Sequence, residues 1–186
     1  MRNPPEPAPW RLVDRVDRGD FRIFRMVEEF YEVPGMTLDH GFYVLESRDW
    51  VNVVPITPEG NVVLIRQFRA GTGGVTIEVP GGMVDAGEEP GDAGLRELEE
   101  ETGYRASRLV RLGAVRPNPA ILRNTCHMYL ALDAVPTGRT NFDSSEDVVT
   151  FEATWAEVQA MIADGRIDHS LVLNALDFAR RAREGT

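Results

Sequence analysis

The sequence predicts an α/β protein: a mixed sheet with helices on both faces, an α/β/α sandwich entered through antiparallel strands near the N-terminus. Two observations carry this. Between residues 20 and 80, short runs rich in β-branched and aromatic residues are separated by Gly- and Pro-containing turns, the pattern of strands. Three later segments switch to a helical period and are bounded by helix start and stop residues.

Residues 1–9, MRNPPEPAP, hold four prolines, which lack the donors that helices and central strands need. Residues 1–19 are therefore expected to form a proline-rich arm, extended or disordered at its start and anchored at Trp10. Strands are expected over 21–31, 41–46, 50–57 and, after the Pro58-Glu59-Gly60 turn, 61–68, as meandering antiparallel hairpins. A loop at 70–74 leads to a short strand at 76–79 and then to Pro80-Gly81-Gly82, read as a sharp bend that glycine accommodates. A helix follows, with Pro90 suited to its first position and Gly103 to a left-handed stop. Further strands are expected at 109–115, 126–135 and 148–154. Helices over 155–163, stopped by Gly165, and 168–183, with Asp168 as N-cap, finish the chain.

The 186 residues, 42% hydrophobic and 27% charged, suit one domain over 20–186 with a sizeable core. No apolar run reaches the roughly 18 residues of a membrane span, and no secretory segment is seen after Met1. The single cysteine, Cys126, excludes an internal disulfide framework and a multi-cysteine zinc site. A reducing cytoplasm is the expected compartment, with the thiol as a buried small hydrophobe. Thirty acidic against twenty basic residues give a net charge of −10, which argues against nucleic-acid and anionic-membrane partners. The charge also sets a condition: a phosphate-bearing ligand needs cations and a few arginines to reverse the field locally.

Residues 82–104 concentrate the chemistry. Gly82, Glu88, Arg96, Glu97, Leu98, Glu100, Glu101 and Gly103 are spaced G-x5-E-x7-R-E-L-x-E-E-x-G. On a helix, Glu97, Glu100 and Glu101 stand at i, i+3 and i+4, so three carboxylates share one face while Leu95, Leu98 and Thr102 take the other. Arg96, one turn before Glu100, is placed to orient it. Carboxylates this close repel in water, whereas around Mg²⁺ or Mn²⁺ they act as hard oxygen ligands. A solvated acidic helix face is the competing explanation, outweighed by the glycines and the residue order.

This segment resembles the Nudix box, the defining motif of hydrolases that cleave a nucleoside diphosphate linked to another moiety. The resemblance implies the Nudix fold, an α/β/α sandwich. It also implies that Glu97 and Glu101 are the principal metal ligands, that the Gly81 carbonyl completes the site and that Glu100 is a further ligand. Glu88 is then assigned to stabilising the loop and helix, and Gly82 to permitting the bend. Tyr104 stands where the family usually places an aliphatic residue, with an expected effect on packing and none on chemistry. Clustered cations in such a site neutralise the diphosphate and lower the pKa of a bound water.

Outside the box, residues 63–69 (VLIRQFR), 77–82 (IEVPGG), 118–120 (NPA) and 145–149 (SEDVV) resemble the ADP-ribose and nucleotide-sugar pyrophosphatase branch. On that resemblance Arg69 contacts the substrate diphosphate, supplying the positive charge the composition demands; a surface salt bridge is its competing role. Glu78 joins the substrate-binding set. Pro119 stands where ADP-ribose enzymes carry proline, in a context that leaves the nucleotide open. Glu146 aligns with a catalytic metal-ligand position, whereas Ser144 occupies the position of the base, which falls to Asp143, Asp147 or Glu146. Tyr43 and Phe42, with Arg48 nearby for phosphate, are candidates for a nucleobase platform, and core packing is their alternative role. His127 and His169 are read as structural, without partners.

The expected activity is Mg²⁺- or Mn²⁺-dependent hydrolysis of ADP-ribose or a related nucleoside diphosphate sugar, by a cytoplasmic homodimer. GDP-mannose, a dinucleotide or a nucleoside triphosphate is an alternative substrate. A sensor that binds nucleotide sugars without cleaving them is the rival from another class.

Overall fold

The computed structural model describes residues 5–138 and 148–184. In chain order it contains β1 (Arg11–Asp20), β2 (Arg25–Glu32), β3 (Phe42–Glu46), β4 (Trp50–Ile56), β5 (Val62–Arg69), β6 (Gly74–Glu78) and β7 (Gly81–Met83). Helix α1 (Pro90–Thr102) follows, then β8 (Tyr104–Arg105), β9 (Arg108–Val115), β10 (Leu122–Arg123), β11 (Cys126–Leu132), β12 (Val135–Pro136) and β13 (Val148–Ala153). Helices α2 (Trp155–Ala163) and α3 (Ser170–Glu184) end the chain.

By its internal contacts the chain divides into two compact units. The first comprises Met1–Arg48 and Arg116–Asn124, the second Asp49–Val115 and Thr125–Thr186. The first unit is a four-stranded sheet in the order β1-β2-β3-β10, antiparallel except for the β3–β10 pair. The expected arm is thus shorter than 19 residues, because the prolines stop at Pro9 and the following segment finds a partner strand in β2. Two bulges, at Leu12/Asp14 and Asp17/Gly19, interrupt that pairing. Trp10 anchors as expected, its ring meeting Tyr31 and Phe42 edge-on at centroid distances of 5.8 and 5.4 Å.

The second unit holds a seven-stranded mixed sheet: β13-β5-β4-β11-β9, with β6 added on β5 and β7 on β4. β4 and β11 run parallel, the other pairs antiparallel. Alternate residues of the central strands serve opposite cores. Val51, Val53, Tyr129 and Ala131 pack with Ala93 and Leu98 of α1. Val54, Met128 and Leu130 pack with Val158 and Met161 of α2 and with Val172, Leu176 and Ala179 of α3. A sheet with separate helical layers on its two faces is the expected α/β/α sandwich. The meander is less complete than its turns suggested: β4 and β5 pair only at Ile56↔Val62, because β7 and β6 take up the rest of their facing edges.

Both C-terminal helices form. Thr154 and Glu157 cap α2 reciprocally, the Glu157 amide donating to Thr154 Oγ1 at 3.3 Å and the Thr154 amide to Glu157 Oε2 at 2.7 Å. Asp168 does not cap α3, which begins two residues later. Ile167 is buried and its amide donates to the Met161 carbonyl at 3.0 Å, holding this stretch against α2 and outside the next helix. Cys126 is buried in the core, and burial, with help from Asp49, pushes its thiol up to about 12. Among the described residues no helix is long and apolar enough to cross a membrane.

Candidate active site

Helix α1 starts and stops where its sequence signals place it. Glu89 precedes it in an extended conformation, Pro90 opens it, and Gly103 ends it at φ 71° with its amide bonded to the Glu99 carbonyl at 2.8 Å. The helix lies close against β4, since a Cβ at Gly94 would stand 2.9 Å from Val53 Cγ2. Its buried residues are Ala93, Gly94, Leu98, Glu101 and Thr102. Leu95, expected on the buried face, is 37% exposed, because the helix is rolled so that the small Ala93 and Gly94 meet the sheet.

That roll separates the three carboxylates. Glu101, 2% exposed, turns toward the sheet and its Oε2 accepts the Gly81 amide at 2.8 Å. Its backbone carbonyl accepts the Thr150 hydroxyl of β13 at 3.2 Å. The Glu97 carboxylate lies over Gly82 of β7, and Glu100 stays half exposed. Arg96 gathers the remaining charge: its Nη1 donates to Glu97 at 2.8 Å and to Glu100 at 3.0 Å. Its Nε and Nη2 grip the two oxygens of Glu88 at 3.1 Å each, and Nη2 also reaches the Met83 carbonyl. Glu88 accepts the Asp85 amide at 3.0 Å, closing the loop before the helix. The Arg96 hydrogen bonds, opposed by partial burial, hold the Glu88 carboxyl below the ordinary value.

Gly81 and Gly82 are glycine for a different reason from the expected one. Both lie in strand β7 without positive φ, so no bend demands them. The requirement is close approach. A Cβ on Gly81 would collide with the Val51 carbonyl and the Asn52 side chain, and one on Gly82 with the Glu97 carboxylate.

On the same side of the sheet, Arg69 of β5 forks onto Glu78 of β6, Nε to Oε1 and Nη2 to Oε2, both at 2.8 Å. Glu78 is 3% exposed and also accepts the Thr76 hydroxyl at 2.6 Å. Burial pushes its carboxyl up, and the Arg69 fork with the Thr76 hydroxyl brings it below the ordinary range. The two residues assigned to substrate binding are therefore held to one another.

The donor set here is all oxygen, and hard oxygen donors suit a hard divalent cation in kind. Glu97 and Glu101, with the Gly81 carbonyl on the facing strand β7, are the residues that would hold it. They are not gathered into a cage: among the described residues no group of three or more His, Cys, Asp or Glu stands ready around one metal position. The Arg96 guanidinium supplies the positive charge between Glu97 and Glu100.

Tyr43, Phe42, Arg48 and Pro119 belong to the first unit. Tyr43 is exposed on β3, Phe42 is engaged by Trp10, Tyr31 and His40, and the Arg48 carbonyl accepts a hydrogen bond from the Asn124 side-chain Nδ2 at 3.1 Å. Pro119 sits in a turn closed by bonds from Ile121 and Leu122 to the Asn118 carbonyl. Glu146, Asp143, Asp147 and Ser144 lie outside the described residues. His127, read as unpartnered, bonds Asp49 at 3.0 Å, and Asp49 also accepts the Thr125 amide at 2.8 Å. That pairing spans 78 positions and has no local signal. Thr150 was missed for the same reason: nothing near it in sequence marks it as a partner of Glu101.

Residues 46–176 match the NUDIX domain. The chain is 30% identical to an ADP-ribose pyrophosphatase of Bacillus subtilis (strain 168) over 129 residues, 69% of this chain and 70% of that one. It is 31% identical to a methanol dehydrogenase activator of Bacillus methanolicus over the same shares of the two chains. A crystal structure of an ADP compounds hydrolase superimposes with a TM-score of 0.83 over 98% of both chains at 21% identity, a likeness of fold. Hydrolases of this kind generally need a divalent metal such as Mg²⁺. The domain match over more than two thirds of the chain, with the box glutamates folded back on β7, shows that this protein belongs to the Nudix hydrolase family.

Proposed function

We propose that this Nudix pyrophosphatase hydrolyses the diphosphate of ADP-ribose or a related nucleoside diphosphate sugar, with Mg²⁺ or Mn²⁺ as the cation. The observation that carries the reading is Glu101, a buried carboxylate tied to the Gly81 amide beside a Glu97 carboxylate that only glycine at position 82 admits. The ADP-ribose pyrophosphatase relative supports the choice of substrate. Glu97, Glu101 and the Gly81 carbonyl hold the cation in this reading, with Glu100 and Glu146 as further ligands. When bound, the cation neutralises the diphosphate and favours an ionised water.

The protein's own groups do the rest. Glu78 orients the Arg69 guanidinium through two parallel hydrogen bonds, which restrains it for contact with an anionic substrate. Arg96 restrains Glu97 and Glu100 so that their positions cost little further ordering on binding. Water adds its oxygen to one phosphorus while the bridging P–O bond breaks, so a nucleoside monophosphate and a sugar phosphate leave, each with one phosphate. The base that takes the proton is Glu146, Asp143 or Asp147. Tyr43, Arg48 and Pro119 contribute to nucleotide binding, and a cytoplasmic homodimer is the proposed working form, which light scattering checks.

Glu101→Gln tests the assignment. Removing a ligand charge worth several kcal/mol should lower kcat by about 10³-fold while circular dichroism stays native. Full activity of this variant sinks the metal-ligand role. Product analysis over ADP-ribose, ADP-glucose, GDP-mannose and ATP tests the substrate: release of pyrophosphate from ATP as the fastest reaction would replace the sugar reading with a triphosphate one.

A further inference from the structure

Strand β5 changes character along one face. Val63 and Ile65 are apolar and fully buried, yet the next two residues on that face are Gln67 and Arg69. Gln67 is 9% exposed, and its carboxamide Oε1 has no hydrogen-bond partner among the described residues. A buried acceptor without a donor carries its full desolvation penalty, so a native fold retains one where something else supplies the donor.

Its place says what that is. In the strand register Gln67 stands opposite Thr76 on β6 and Val148 on β13, while Ile65 stands opposite Glu78 and Thr150. Directly opposed residues share a face. Thr150 reaches the Glu101 carbonyl and Arg69 forks onto Glu78, so Gln67 lies midway in a polar line from the box helix to Arg69. It is roughly 7 Å along the strand from each end of that line. One end is Arg69, assigned to the diphosphate, and the other meets the backbone of Glu101, whose carboxylate is assigned to the cation.

We propose that Gln67 is a ligand-contacting residue of this site, its carboxamide oxygen accepting a hydrogen bond from an O–H donor that arrives with the substrate. The proposal rests on the pyrophosphatase reading above. The donor is a hydroxyl of the sugar or the water that attacks the diphosphate, and the two leave different kinetic signatures. A carboxamide set in line with carboxylates and an arginine adds an acceptor without adding charge, which an anionic substrate tolerates better than a further glutamate.

The test is Gln67→Met, an apolar replacement of similar length, with steady-state kinetics on ADP-ribose, on analogues lacking single ribose hydroxyls, and a melting curve. A sugar hydroxyl as donor predicts an about tenfold rise in KM for ADP-ribose and no rise for the analogue that lacks the partner hydroxyl. Water as donor predicts an about tenfold fall in kcat on every substrate with KM unchanged. In both cases the melting temperature holds or rises, since the orphaned acceptor is gone. Kinetics within twofold of wild type on all substrates overturn the proposal. If Gln67→Met melts earlier than wild type, Gln67→Asn keeps the carboxamide but withdraws it by one methylene; native kinetics there overturn it equally. Failure of the wild type to hydrolyse any nucleoside diphosphate sugar is a separate outcome, which removes the reading on which the proposal rests.

Discussion

The two units bury their interiors by different means. In the second, a sheet is covered on each face by helices, and nearly every fully buried side chain is Val, Leu, Ile, Met or Ala. In the first, the apolar interior among the described residues comes down to Val27 and Val33, and strand β2 buries Glu28 and Glu29 instead. Glu29 is 0% exposed and is held by a bidentate fork from Arg123, at 2.8 and 2.7 Å, and by the Tyr31 hydroxyl at 2.6 Å. Arg18 pairs with Glu28, and Arg15 and Arg123 share Glu46. The lesson is that carboxylates serve opposite ends here. In the first unit arginines satisfy them to hold strands together; in the second, Arg96 and the Gly81 amide hold Glu97 and Glu101 at the candidate site while the core supplies the stability.

Matched truncations test that contrast most strongly. Leu98→Ala empties part of the core beneath α1 and should cost about 4 kcal/mol, independent of pH. Arg123→Ala leaves Glu29 buried without its main partner and should cost about 3 kcal/mol at neutral pH, the low end for a broken buried pair because the arginine is half exposed. The Arg123 hydrogen bonds hold the Glu29 carboxyl below the ordinary glutamate value of 4.5, so this contribution is present above that pH and is lost as pH falls through the depressed folded value. Denaturant titrations at pH 7 and pH 4 should therefore show the Arg123→Ala deficit shrinking in acid and the Leu98→Ala deficit unchanged. Equal pH dependence of the two would erase the distinction between the units.

A smaller effect separates position from stability within the second unit. Gly82→Ala puts a methyl group against the tip of Glu97, a flexible end that moves aside, so the melting temperature should change little. Activity should fall by about 100-fold, a shift of about 2.7 kcal/mol in transition-state stabilisation, because the carboxylate is displaced. Unchanged activity would mean that the Glu97 position is not critical.

The smallest expected change concerns Tyr104. Its hydroxyl donates to Glu152 at 2.8 Å, and Asn61 donates to the other oxygen of that carboxylate at 3.0 Å. Burial, then Glu152, pushes the phenol from 10.0 up to about 12. A raised folded value means that the stabilisation is complete below about pH 10 and disappears as pH rises through about 12. Tyr104→Phe should cost about 1 kcal/mol at pH 8, and the gap to wild type should close between those limits in alkaline melting curves. A constant gap would assign the residue to packing alone, the role its sequence position suggested.

Local physics determined much of this protein from the sequence alone. Pro90 and Gly103 bound the box helix because one residue lacks a donor that the first turn does not use and the other adopts a left-handed stop without penalty. The order of glutamates on that helix, with the matching segments around it, carried the family and the oxygen-rich character of the site. What the tertiary structure alone decided are the matters that depend on contacts between distant segments. These include the conversion of Gly81 and Gly82 from an expected bend into a strand, the roll that exposes Leu95 and buries Glu101, the Asp49 partner of His127, and the pairing that gives residues 11–20 a sheet. In each case the deciding partner lies on another strand or helix, and a local pattern carries no record of which face that partner will approach.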